Sequence, residues 1–272
     1  MAERSQNADV PERLEFAVEI ARAAGEFTLQ YFRQDDLQVD RKADQSPVTV
    51  ADRGAEELLR SRIAERFAAD GIIGEEFGEV AGETGYQWIL DPIDGTKSFI
   101  HGVPLYTTLV AVLLNGEPII GVIHAPALGE TVYAAKGGGC WYISGPNSQP
   151  KVARVSNVER LSESLLVTTE IASFSTHREK DAREVFLKLQ DAARLVRTWG
   201  DGYGYLLVAT GRAEVMIDPA MNLWDAAPLQ TVIEEAGGTY TDWKGNPTVH
   251  AGEAIATNGY VTQEVLGYTR EE

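Results

Sequence analysis

Cysteine is nearly absent from this chain: Cys140 is the only one in 272 residues. A single thiol excludes an intrachain disulfide framework and cannot make a zinc site by itself. No arginine loop follows Cys140 to activate it, so it reads as a small buried hydrophobe. Histidine is scarce as well. His101, His124, His177 and His250 are scattered in sequence and read as surface or capping residues, with His101 alone close to the motif described below. Cationic charge is in short supply, with 24 Lys and Arg against 41 Asp and Glu, a formal net charge of −17. Nucleic acid and anionic membranes would both be repelled, and neither is expected as a partner. No apolar run approaches the roughly 20 residues of a membrane span. Residues 1–7 lack the apolar core of a signal peptide. The expectation is a soluble cytoplasmic protein in a reducing compartment.

Apolar side chains are plentiful at 44%, enough for a sizeable core, and the length suits one or two subdomains sharing an interface. Leu14, Ala17, Val18, Ala21, Ala24 and Leu29 recur at helical spacing and predict a helix over 12–33. A second helix is predicted from Asp52 through Ala55, Leu59 and Ile63, with Asp52 as its N-cap because residues 47–50 look extended. Short apolar strands at 72–74 and 86–90 end in carboxylates. Asn115-Gly116 joins strands 107–114 and 118–124 as a hairpin, and Gly137-Gly138-Gly139 joins 131–135 to 140–143. That glycine run is a flexible turn and not a phosphate loop, since no helix pattern or Lys-Ser/Thr follows it. A Ser/Gly/Pro/Asn/Gln-rich stretch at 144–150 marks a boundary between an α+β subdomain, 1–146, and an α/β subdomain, 147–272. In the second, strands 165–169 and 215–217 alternate with helices 180–193, 201–210 and 225–236. The last has Pro228 in its first turn and Gly237-Gly238 at its end.

The most informative stretch is Trp88-Ile89-Leu90-Asp91-Pro92-Ile93-Asp94-Gly95-Thr96-Lys97-Ser98-Phe99. Pro92 stiffens the turn between two carboxylates, which can then point to one side and leave the Ile93 carbonyl as a third oxygen. Hard oxygen donors without a His/Cys cluster suit Mg²⁺ rather than zinc. Gly95 admits a phosphate close to the backbone, where the Gly95 and Thr96 amides would open a helix towards it. Alone, the stretch reads either as a turn with a capping aspartate or as a metal site. Glu75-Glu76, after an apolar strand and a glycine, could simply be solvated. Asp225, at a helix start, could simply be a cap.

The three motifs in this order, Gly74-Glu75-Glu76, Trp88 to Thr96 and Trp224-Asp225-Ala226-Ala227-Pro228, resemble the inositol monophosphatase family of Mg²⁺-dependent, lithium-sensitive phosphatases. The likeness runs from the first helix to about residue 260. Lys97 to Ile100, Val196 to Tyr205 and Ala209 to Met216 are most similar to its histidinol-phosphate phosphatase branch. The resemblance implies a layered αβαβα sugar-phosphatase-type fold, two or three Mg²⁺ per site, a homodimer, and hydrolysis of L-histidinol phosphate in histidine biosynthesis. By the same resemblance Glu75, Asp91 and the Ile93 carbonyl would hold one Mg²⁺, and Asp91, Asp94 and Asp225 a second. Thr96 with Glu75 and Asp52 would orient and deprotonate the attacking water. Asp94, Gly95, Thr96, Arg197, Gly200, Asp201 and Asp218 would contact substrate. An acidic pocket favours a substrate carrying an ammonium and an imidazole over one presenting only hydroxyls.

Three other readings compete. One is an inositol-1-phosphate or other sugar-phosphate phosphatase of the same family. Another is a haloacid-dehalogenase-type phosphatase, but here two residues separate the aspartates instead of one, so nucleophile and acid/base would be out of register. The last is a non-catalytic metal- or phosphate-binding module, which the full set of ligand carboxylates argues against.

Overall fold

The computed structural model describes residues 9–34, 37–42, 46–145, 148–178 and 180–270. The expectations for residues 1–7 and for a boundary at 146/147 fall on residues outside that description. In chain order the elements are α1 (Val10–Leu29), β1 (Val39–Arg41), β2 (Pro47–Thr49), α2 (Val50–Arg66), β3 (Gly71–Gly74), β4 (Gly78–Val80) and β5 (Tyr86–Asp94). There follow α3 (Thr96–Ile100), β6 (Thr107–Leu114), β7 (Glu117–Ala125), β8 (Glu130–Ala135), β9 (Cys140–Ser144) and β10 (Lys151–Val152). The remainder comprises β11 (Leu165–Val167), α4 (Ser173–Thr176), α5 (Arg183–Ala192), β12 (Leu195–Arg197), α6 (Gly202–Ala209), β13 (Val215–Asp218), α7 (Leu223–Glu235), β14 (Thr239–Thr241), β15 (Ala254–Thr257) and α8 (Thr262–Thr269).

Strands β3 to β10 form one sheet in the order β10-β9-β8-β7-β6-β5-β3-β4, antiparallel except where β3 runs parallel to β5. Its centre is apolar on both faces, which is why 86–90 and 107–114 are near-continuous hydrophobic runs. Trp88, Leu90, Val110 and Val112 meet Phe16, Ile20, Leu59 and Ile63 of α1 and α2. Ile89, Ala111 and Leu113, one residue out of phase, meet Ala227 of α7 on the opposite face. The period of two thus sorts one strand's side chains between two helical layers. Contact is closest at Gly121, where a Cβ would lie 2.0 Å from the Pro228 carbonyl oxygen, so α7 can rest on β7 only over a glycine.

A second sheet, β12-β11-β13-β15-β14, is parallel through its first three strands and antiparallel through β15. Met216, Ala254 and Ala256 pack on Leu206, Val232 and Ile233 of α6 and α7. Leu166, Val215 and Ile217 face Phe186, Leu189 and Val265 of α5 and α8. The layers are therefore α1/α2, large sheet, α6/α7, small sheet, α5/α8, the αβαβα arrangement expected.

Local readings needed correction. The first helix ends at Leu29 instead of 33, followed by turns. Helix α2 begins at Val50 with Thr49 as N-cap, so Asp52 is the third helical residue and not the cap. Helix α7 begins at Leu223, which puts Pro228 inside the helix and beyond its first turn. The hairpin β1/β2 and helix α8 were not anticipated.

Candidate active site

Strand β5 does not turn between its two aspartates; it bulges. Asp91 pairs with Leu109 and Asp94 with Thr107, so three steps on β5 oppose two on β6. In a regular strand, residues three apart face opposite sides. The extra residue restores the phase and brings Asp91 and Asp94 to one side. Pro92, which has no N–H for the ladder, falls within the irregular stretch. The bulge is pinned by Thr108 Oγ1 donating to the Pro92 carbonyl at 2.9 Å and by Ile93 N donating to Asp91 Oδ1 at 3.1 Å.

Helix N-termini converge on this strand end. Asp94 Oδ2 accepts from Gly202 N, first residue of α6, and from Thr107 Oγ1, both at 2.6 Å. A Cβ on residue 202 would lie 2.7 Å from that Asp94 oxygen, so glycine is required for the approach. Asp225 is the third residue of α7, and its Oδ2 accepts from Asn222 N at 2.7 Å. Asp52 holds the same place in α2, its Oδ2 accepting from Thr49 N at 2.7 Å and Thr49 Oγ1 at 2.6 Å. Both aspartates are capping-box acids, spending one oxygen on the helix end. Capping and site roles are therefore compatible in one side chain. Asp52 Oδ1 remains to accept from Thr96 Oγ1 at 3.4 Å, and the same hydroxyl lies 3.2 Å from the Ile93 carbonyl. Gly95, with φ +85°, turns the chain from β5 into α3.

Carboxylate oxygens of Asp91, Asp94 and Asp225 lie within 4.8 Å of one another. Burial, and then the neighbouring charges of Glu75, Asp94 and Asp225, hold the Asp91 carboxyl well above the usual range. Asp94 is raised likewise by burial, then by Asp201 and Asp225. Asp225 is pushed up to about 6, chiefly by burial. Asp52 is raised, again first by burial. Buried like charges at this spacing disfavour their own ionisation, and a cation among them would reverse the effect. An all-oxygen donor set in that state fits a hard divalent ion such as Mg²⁺.

Around this cluster lies a cavity of about 500 Å³, lined in part by Glu75, Ile93, Gly95, Thr96, Gly200 and Asp201. Its size is that of a small-molecule site. Glu75 shares the cavity but is not among the three clustered carboxylates. Lys42 Nζ holds it at 2.7 Å and Glu76 at 2.6 Å. Asp218 lies in a small adjoining cavity, accepts from Tyr205 Oη at 3.0 Å and is pushed up to about 7 by burial. Arg197 is exposed, its Nη1 turned onto the Val196 carbonyl at 2.7 Å, away from the cavity lining.

Sequence reasoning missed Lys42, Thr107 and Gly202. Cys140 is fully buried, its thiol pushed up to about 12 by burial. Histidines contribute nothing to the cavity lining: His101 Nδ1 lies 2.8 Å from the Lys97 carbonyl, and His124 is buried, pushed down to about 4 by burial.

A family model described as the inositol monophosphatase family matches residues 9–272. A histidinol-phosphatase of Chlorobaculum parvum is 43% identical over 90% of this chain and 91% of its own length. One from Mycobacterium tuberculosis is 41% identical, covering 93% and 96%. Among solved structures, a Thermotoga maritima IMPase superposes with a TM-score of 0.83 at 30% identity, over 96% of this chain and 97% of that one. Site, layers and sequence all agree, and the chain belongs to the inositol monophosphatase family.

Proposed function

We propose that the protein is a Mg²⁺-dependent phosphomonoesterase that hydrolyses L-histidinol phosphate to L-histidinol and phosphate, a step of histidine biosynthesis. The observation that carries the reaction class is the cluster of buried Asp91 and Asp94 with half-buried Asp225, beside a hydroxyl–carboxylate pair. Support for the substrate is the 36–43% identity to three relatives named histidinol-phosphatase, each matched over 90% or more of this chain.

Asp91, Asp94 and Asp225, with Glu75 and the Ile93 carbonyl, would hold the metal. Divalent ions there supply Lewis-acid charge for the phosphate and the leaving oxygen. The chain's own residues do the rest. Thr96 Oγ1 orients the attacking water and Asp52, reached through that hydroxyl, takes up its proton; burial raises the proton affinity of that carboxylate, which suits the role. Glu75 is the second candidate acceptor once Lys42 releases it. The Gly95 and Thr96 amides, at the start of α3, hold phosphate oxygens. No covalent nucleophile is needed. Gly200, Asp201 and Asp218 shape the far end, and Arg197 would have to swing inward to touch substrate. Lithium sensitivity and a homodimeric assembly are carried over from the family. None of the described helices is long and apolar enough to cross a membrane.

Side-by-side kinetics on histidinol phosphate, inositol-1-phosphate and fructose-1,6-bisphosphate test the reading. The highest kcat/KM is expected on histidinol phosphate, with no phosphate release once Mg²⁺ is chelated. A higher kcat/KM on inositol-1-phosphate overturns the substrate, and chelator-resistant turnover overturns the mechanism.

A further inference from the structure

Six carboxylates line the main cavity: Glu75, Asp91, Asp94, Asp201, Asp225 and Glu170. Lys97 is the one Lys or Arg among the described lining residues. Five of the six are committed elsewhere. Asp91, Asp94 and Asp225 form the cluster, and Glu75 is held by Lys42. Asp201 is pressed under the turn before α3, with its Oδ2 2.5 Å from where a Gly95 Cβ would sit.

Glu170 differs from all of them. It stands on the loop after β11, its side chain is 45% exposed, and it borders both the main cavity and the small adjoining one. Its Oε2 accepts from Lys97 Nζ at 3.0 Å and from Ser173 Oγ at 3.5 Å. Lys97, 71% exposed, is the residue next to Thr96. The pair thus joins the phosphate end of the cavity to the loop that walls its other side. An ion pair this exposed is weak and exchanges readily with another cation. In histidinol phosphate the ammonium sits on the carbon next to the ester carbon, within a few bonds of the phosphate.

Resting on the histidinol-phosphatase reading above, we propose that Glu170 is the specificity-determining carboxylate that takes the substrate's ammonium, and that Lys97 is its internal stand-in when no amine is present. Selection then works by exchange. A phosphate ester with a neighbouring ammonium replaces Lys97 on Glu170, whereas a neutral ester leaves the Lys97–Glu170 pair in place and gains nothing from it.

The test compares the Mg²⁺-loaded wild type, Glu170→Gln and Lys97→Met on histidinol phosphate and on glycerol 2-phosphate, a neutral ester. It adds calorimetric binding of L-histidinol, which reads the amine contact without turnover. Glu170→Gln is expected to lower the kcat/KM ratio of the amine ester to the neutral one by about fivefold, and to weaken L-histidinol binding by a similar factor. Lys97→Met is expected to move both quantities the other way, by about twofold. Equal effects of Glu170→Gln on the two esters, or unchanged affinity for L-histidinol, overturn the proposal. Failure of the wild type to hydrolyse either ester, with L-histidinol still bound through Glu170, would instead remove the phosphatase reading and leave the amine site standing.

Discussion

Strand β5 has carboxylates gathered at both ends, and the two ends are treated oppositely. Near its start, Asp70 is 5% exposed and fully answered by the protein. Arg13 reaches it with Nε and Nη2 at 3.0 Å each, Trp88 Nε1 donates at 3.0 Å and Thr84 Oγ1 at 2.6 Å. The guanidinium is also sandwiched, 3.7 Å from the Tyr86 ring centre and 4.4 Å from that of Phe67. At the far end, Asp91 and Asp94 are just as buried, yet they face Asp225 instead of an arginine. Among the described residues their donors are backbone and hydroxyl groups, while their neighbours are anions. A buried carboxylate that the fold has paired is a structural member; one held against its own kind awaits a ligand.

Removing one charge from each end should therefore give opposite results. Asp94→Asn keeps an oxygen acceptor for Thr107 and Gly202 but deletes a charge from the proposed metal site. Turnover of histidinol phosphate is expected to fall about 10³-fold, roughly 4 kcal/mol of barrier, with folding retained. Appreciable activity in this variant would sink the metal assignment. Asp70→Asn leaves Arg13 buried without its buried counter-charge, with only the exposed Asp9 carboxylate 3.9 Å away. A loss of about 3 kcal/mol of stability is expected in urea unfolding, with kcat per folded molecule unchanged. A large loss of kcat in Asp70→Asn would erase the distinction between the two ends.

How much of this was readable beforehand follows the range of the interactions. The apolar runs of β6 and β7 and the turn at Asn115-Gly116 are local signals, and these strands lie within a residue of where the pattern put them, whereas β5 runs four residues past its expected end at 90. Asp91 and Asp94 were visible as a pair, but not the bulge that puts them in phase, because a register shift is decided by the partner strand. Asp52 and Asp225 were rightly tied to helix starts and misplaced by three residues. The N-cap and the third helical position attract the same acidic residues, and only the backbone separates them. Lys42 carried no signal at all: its grip on Glu75 and Glu76 spans more than thirty residues. Gly202 was similarly opaque, since its reason to be glycine is an Asp94 oxygen 108 positions away.

The pH dependence of stability without metal also separates the two ends. Asp225 is pushed up to about 6 by burial, and Asp91 and Asp94 are raised further in the same direction. An unfolded aspartate titrates near 3.9. Between those values the folded protein binds more protons than the unfolded one, so stability falls as pH rises. The favourable contribution is complete below about pH 4 and is lost as pH passes through the folded value. Metal-free protein should thus melt at a lower temperature at pH 7 than at pH 5, with a slope on the order of 1 kcal/mol per pH unit for each titrating group. At the proposed site Mg²⁺ would compete with those protons and bind only the folded protein, so its stabilising effect should be larger at pH 7 than at pH 5. Asp94→Asn removes one of the repelling charges and should flatten both trends. Asp70→Asn should lower every melting temperature and leave the Mg²⁺ increment at each pH intact. Melting curves at pH 5, 6 and 7, with and without Mg²⁺, decide it: an Mg²⁺ increment independent of pH in the wild type would show that the far end of β5 is not the frustrated cluster its geometry describes.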